Sequence, residues 1–158
     1  MKKTIVLAIT AVATLSMTAV VMGQGPRRPS PDKAAVGFRQ ALMTLIGGEA
    51  VPMLIMQRGR MPFNQALVEK NAGNLVTLAG MIPDAFQRNT SKAANLKTRA
   101  RPIVWQDHGE FLMHAHDLRM KAEALDMAAK AGNEGDIKTA IKNTGAVCGE
   151  CHMKFRAK

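Results

Sequence analysis

Val147-Cys148-Gly149-Glu150-Cys151-His152-Met153-Lys154-Phe155-Arg156 holds both cysteines of the chain, spaced Cys-x-x-Cys and followed directly by a histidine. That spacing reads as a c-type haem attachment site. Two thiols can add across the two vinyl groups of a haem, and the adjacent imidazole can bind the iron axially. On a helix, Cys151 lies three residues and His152 four residues beyond Cys148, so all three share one face. Three other uses of the cysteines compete. A thioredoxin-like dithiol needs a strand–helix context. A structural zinc site needs a fourth ligand; His108, His114 and His116 are available, but the last two stand two residues apart and face different ways. A disulfide needs an oxidising compartment and leaves the histidine unexplained. The following histidine and the helical surroundings favour haem.

Working outward from the motif, Ile137, Ile141, Thr144, Cys148, Cys151 and Phe155 recur at helical spacing and predict a last helix that starts within 133–136. Before it, Val104, Phe111, Leu118 and Leu125, with His108, Ala115, Ala122 and Ala129, mark one face of a third helix that opens at Pro102 and closes at Gly132. A second helix begins near Pro62 or Asn64, carries Leu67, Asn71, Leu75, Leu78 and Ile82, and is stopped by Pro83. The segment 84–98 is polar and forms the long connection. The first helix starts from Ser30 or Asp32 as N-cap. One apolar stripe on it holds Ala35, Phe38, Leu42 and Leu45, and a neighbouring stripe holds Val36, Arg39, Met43 and Ile46. Gly47, Gly48 and Pro52 predict a kink or break near Pro52. No stretch alternates with a period of two. The expected fold is all-α, an antiparallel four-helix bundle carrying one c-type haem.

The N-terminus reads differently. Lys2 and Lys3 precede an uncharged apolar run from Ile5 to Met22, the composition of a secretory signal peptide. Cleavage is placed after Gly23, with Ala19 as the alternative, and a retained membrane anchor is the competing interpretation. On this basis residues 1–23 are a signal peptide, 24–31 a Pro-rich flexible arm and 32–158 the haem-binding domain, periplasmic and free of the membrane once cleaved. Losing Lys2 and Lys3 lowers the formal charge from +10 to +8. Export and the scarcity of aromatics exclude a nucleic-acid platform; an acidic redox partner protein suits the charge better.

The second iron face decides what a haem does. Methionine is the usual second ligand in electron-transfer haems, although methionine generally fills core gaps. Met43 stands out, one turn after Arg39, whose guanidinium can pair with a propionate if it is not simply a solvated helix face.

From Asp32 to its end the chain resembles the class II c-type cytochromes, the cytochrome c′ family. The matching segments are Phe38-Arg39-Gln40-Ala41-Leu42-Met43, Arg101-Pro102-Ile103-Val104-Trp105 and Cys148-x-x-Cys151-His152-x-x-Phe155-Arg156. The resemblance implies haem links at Cys148 and Cys151 and a proximal ligand at His152. It implies propionate contacts at Arg39 and Gln40, and a basic Arg156 near the proximal histidine. It also implies a homodimer through the first two helices. Met43 matches the position facing the sixth coordination site, where family members either ligate the iron or block it. Two functions follow: an exported carrier of single electrons, or a five-coordinate binder of nitric oxide or carbon monoxide gated by Met43 and Leu42. No acid/base pair or oriented nucleophile suggests an enzyme. Glu110, Asp117 and Glu123 read as a solvated face, the three histidines of the third helix as surface or packing residues, and Trp105 and Asp107 as packing and capping groups.

Overall fold

The computed structural model describes residues 28–158, so the proposed signal peptide and the first half of the arm lie outside the described residues. Helix α1 spans Pro31–Gln57, α2 Gln65–Gly80, α3 Ile82–Phe86, α4 Ile103–Gln106, α5 His108–Ala131 and α6 Glu134–Phe155. The four long helices pack in the cyclic order α1, α2, α5, α6. Cross-contacts give their directions. Gln65 at the start of α2 donates to the Ala129 carbonyl at the end of α5, and Lys154 at the end of α6 meets Glu110 at the start of α5. Adjacent helices therefore run antiparallel. Among the described residues the one β-bridge joins Ala100 to Arg156.

Local chemistry sets most boundaries. Ser30, Asn64 and Asn133 cap the N-termini of α1, α2 and α6, each side-chain oxygen accepting from the backbone N–H three residues on. Gly132 ends α5 at φ 85°, a left-handed conformation that favours glycine. The α5 face is as its periodicity predicts: Phe111, Ala115, Leu118, Ala122, Leu125 and Ala129 are buried.

Four expectations give way, the first being that the single helix expected to open at Pro102 is divided at Asp107 into α4 and α5. Helix α1 does not break at Pro52. An interior proline costs about 3 kcal/mol, but full burial of Met53 and Met56 contributes roughly 1.5–3 kcal/mol each and holds the helix to the core on the far side. The outer stripe of α1 is also reassigned. Phe38 is 43% and Leu45 57% exposed, whereas Val36, Arg39, Leu42 and Ile46 are buried. Finally, Pro83 does not stop α2, which already ends at Gly80. It stands in the first turn of α3, where its missing N–H has no helical partner to lose.

Candidate functional site

Between α1 and α6 lies a cavity of about 580 Å³, within the roughly 300–1,000 Å³ typical of small-molecule and cofactor sites. Its floor is aliphatic: Ile46, Ala50, Leu54, Leu118 and Val147. Cys148, Cys151 and His152 line it from α6, and Met43 lines it from α1. Met43 is the only methionine on this wall among the described residues. Leu42, expected beside Met43 as a gate, is only 1% exposed and packs in the core without reaching the cavity.

The thiols are free and half-buried. Burial pushes both upward, Cys151 to about 11, with the neighbouring Cys148 adding to the shift. They therefore remain protonated thiols at neutral pH. His152 shifts the other way: burial first, then Arg156 and Arg99, lower its pKa. A neutral imidazole keeps the lone pair that a metal requires.

Arg39 and Gln40 close one end. Arg39 is 3% exposed despite its charge. Its Nη2 donates to Thr90 Oγ1 at 2.5 Å and its Nη1 to the Arg88 carbonyl at 3.4 Å. Its guanidinium lies 5.0 Å from the Trp105 ring centroid and 5.4 Å from that of Phe86. These contacts bury what the alternative reading left as a solvated face. Burial lowers its pKa, with Asp32 opposing. Nε is buried with no partner, an orphan donor that an anionic group in the cavity would satisfy. Gln40 Nε2 donates to the Lys97 carbonyl at 2.8 Å, which fastens the long connection to α1.

Beside them, the connection and the tail pair. Arg101 N donates to the Phe155 carbonyl at 2.9 Å and Ala157 N to the Arg99 carbonyl at 2.8 Å. This clasp brings Arg99 and Arg156 onto the cavity wall.

Sequence reasoning missed several lining residues. Phe86, Phe111 and Phe155 form a linked aromatic wall, with ring centroids 4.6 and 5.3 Å apart. His114, expected at the surface or in packing, lines the cavity against Phe155 at 5.7 Å, and its Nδ1 is buried without a partner. Its place one turn beyond Phe111 and one residue before Ala115 was the available signal. Trp105 packs as expected and donates Nε1–H to the Phe86 carbonyl at 2.8 Å. Asp107 occupies the N-cap of α5 but makes no side-chain cap bond; it pairs with Lys154 at 3.1 Å. Glu110 also pairs with Lys154, and Glu123 with Arg119.

A family model for Cytochrome C′ matches residues 34–156. The chain is 33% identical over 124 residues to the cytochrome c′ of Rubrivivax gelatinosus, covering 78% of this chain and 95% of that protein. The crystal structure of the Rubrivivax protein superposes with a TM-score of 0.73 over 82% of this chain and all of that one, at 31% identity. A cytochrome c-556 of Agrobacterium fabrum is 29% identical over 76% of this chain and 79% of its own length. The nitric oxide complex of a leucine-to-alanine mutant of cytochrome c prime from Alcaligenes xylosoxidans aligns with a TM-score of 0.70. It is 27% identical, covering 83% of this chain and 99% of that chain.

Proposed function

The chain belongs to the cytochrome c′ family, and from that premise we propose that it is an exported electron carrier with one haem held between α1 and α6. Members of the family carry one covalently attached c-type haem per chain. The cavity suits that group: it is apolar on its floor, has two free thiols on one wall and an orphan guanidinium N–H at one end.

Bound haem supplies a one-electron ferric/ferrous couple. In this proposal Cys148 and Cys151 would hold it covalently through their two thiols on the α6 wall. His152, whose pKa is lowered by desolvation and by the Arg156 and Arg99 charges, would offer its imidazole nitrogen to the iron. Arg39 and Gln40 bind propionates, and the Arg39 charge lowers the cost of placing a carboxylate against apolar walls. The aliphatic floor and aromatic wall exclude water. Solvent then reorganises little around the site as its charge changes.

One observation carries the electron-transfer assignment: Met43 is the methionine on the cavity wall, contributed by α1, the helix neighbouring the one that bears His152. A thioether there would serve as a second iron ligand and leave no site for a further one. The absorption spectra of oxidised and reduced protein test this directly. Low-spin, six-coordinate spectra in both states are expected, and a five-coordinate ferrous haem refutes it.

The second function rests on the same cavity. Its aliphatic floor would admit a small neutral molecule such as nitric oxide or carbon monoxide, and one related protein is known as a nitric oxide complex. Uptake of carbon monoxide by the ferrous wild-type protein without displacement of Met43 would establish that function instead. We assign the protein to the periplasm on its N-terminal segment, residues 1–23. No described helix is long and apolar enough to cross a membrane. The exposed Phe38, Leu45, Val51 and Ile55 give α1 an apolar outer face that supports a homodimer through the first two helices.

A further inference from the structure

The clasp between the long connection and the tail gathers Lys97, Arg99, Arg101, Arg156 and Lys158 at one end of the bundle. All five are exposed. None forms an ion pair with a described acid. Lys154, beside them in sequence, is already neutralised by Asp107 and Glu110. Glu150 lies two residues before His152 and so faces away from it around the helix.

The cluster is built rather than loose. Arg99 Nε donates to the Ala157 carbonyl at 3.1 Å and Arg101 Nη1 to the Lys154 carbonyl at 2.6 Å. Gln40 fixes the Lys97 backbone to α1. Fixed cations lose less side-chain entropy on binding an anion than free ones. Arg99 and Arg156 also line the cavity, so the charge reaches its rim. Met153 follows His152 in α6 and is 77% exposed. Arginines are enriched in protein-binding surfaces.

We infer that this basic face, centred on the bridge between Ala100 and Arg156, is where an acidic electron-transfer protein docks to exchange one electron with the haem. The inference rests on the electron-carrier assignment above. The transfer moves a single electron from one protein to the other, and no bond forms or breaks. Opposite charges on the partner steer the encounter, and the aligned rim places its redox centre near the His152 side of the cavity.

The experiment uses the haem-loaded full protein and stopped-flow oxidation or reduction. Ferricyanide is the small anionic probe, tris(phenanthroline)cobalt(III) the cationic one and reduced flavodoxin the acidic protein probe. The variant is Lys97→Glu/Lys158→Glu, which leaves every cavity-lining side chain in place. The control is Lys70→Glu/Lys121→Glu, an equal charge change at two exposed sites that do not line the cavity. At 10 mM salt the cluster variant should react about ten-fold more slowly with flavodoxin and the control less than two-fold. The difference should vanish at 1 M salt, where the screening length falls to about 3 Å. The cobalt complex should show no loss of rate. Equal slowing by both variants overturns the inference, because net charge alone would then act. Slowing with ferricyanide but not with flavodoxin also overturns it, leaving only a small-anion site. Unchanged spectra and reduction potential in the variant keep either result separate from the carrier assignment. That assignment fails instead if the wild-type haem is five-coordinate.

Discussion

Gly145 of α6 faces Leu54 of α1, and replacing it with alanine is the sharpest test of that packing. A Cβ at this position would stand 2.6 Å from Leu54 Cδ2. Ordinary contact begins near 3.4 Å, so Leu54 must retreat by about 1 Å, and it lines the haem cavity. Overpacking of this kind costs about 1–3 kcal/mol. Exchanging glycine for alanine within a helix returns roughly 0.5–1 kcal/mol. Haem-loaded Gly145→Ala should therefore lose about 1 kcal/mol net. With a urea slope of about 2 kcal/mol/M, the midpoint falls by roughly 0.5 M. Far-ultraviolet circular dichroism during urea titration reads the shift. Leu54→Ala in the same chain removes the clash, so the double variant should be more stable than the two single losses summed, by about 1 kcal/mol. A strictly additive double variant, or a stabilised Gly145→Ala, refutes the close approach.

Met43→Ala should convert a low-spin spectrum to a high-spin one and let the ferrous protein bind carbon monoxide; an unchanged spectrum removes Met43 as ligand. Thr90→Val deletes the Oγ1 that accepts from the buried Arg39. It should cost about 1.5–3 kcal/mol in urea titration, the value of a hydrogen bond to a charged group, and a neutral result shows that Arg39 finds another acceptor. In the haem-free chain the Cys151 thiol ionises near 11, against 9.0 for an unperturbed thiol. The unfolded chain loses its proton first, so this group's contribution is full below pH 9 and declines between about pH 9 and 11. Iodoacetamide, which attacks the thiolate, should accordingly modify the folded haem-free protein more slowly at pH 9 than the urea-unfolded one. Equal rates would contradict the buried thiol.

Where one side of a helix is all aliphatic and alanine, the pattern is legible, and α5 is the example. Its face from Phe111 to Ala129 can be read residue by residue. The haem anchor is equally plain because its spacing is the chemistry. Helix α1 resists such reading because small and apolar residues occur on both its sides. What buries Arg39 is remote in sequence: Thr90, Phe86 and Trp105 lie about fifty residues or more away. No local pattern reveals that a guanidinium will be stacked and bonded rather than hydrated. The short α3 and α4 span five and four residues, too few for a helical period to register. His114 escapes for a related reason: a histidine one turn from Glu110 and Asp117 resembles a surface group until Phe155 and the cavity are placed against it.

Helix α2 supplies no side chain to the cavity wall, although it packs against both α1 and α5. Its buried Val68, Ala72, Leu75 and Ala79 can therefore drift under selection for heat or cold tolerance without passing through the residues that set the iron's surroundings. Thermal adaptation and redox tuning become separately heritable traits in one small bundle. An engineer could likewise rebuild that helix as a scaffold and carry the haem pocket along unchanged.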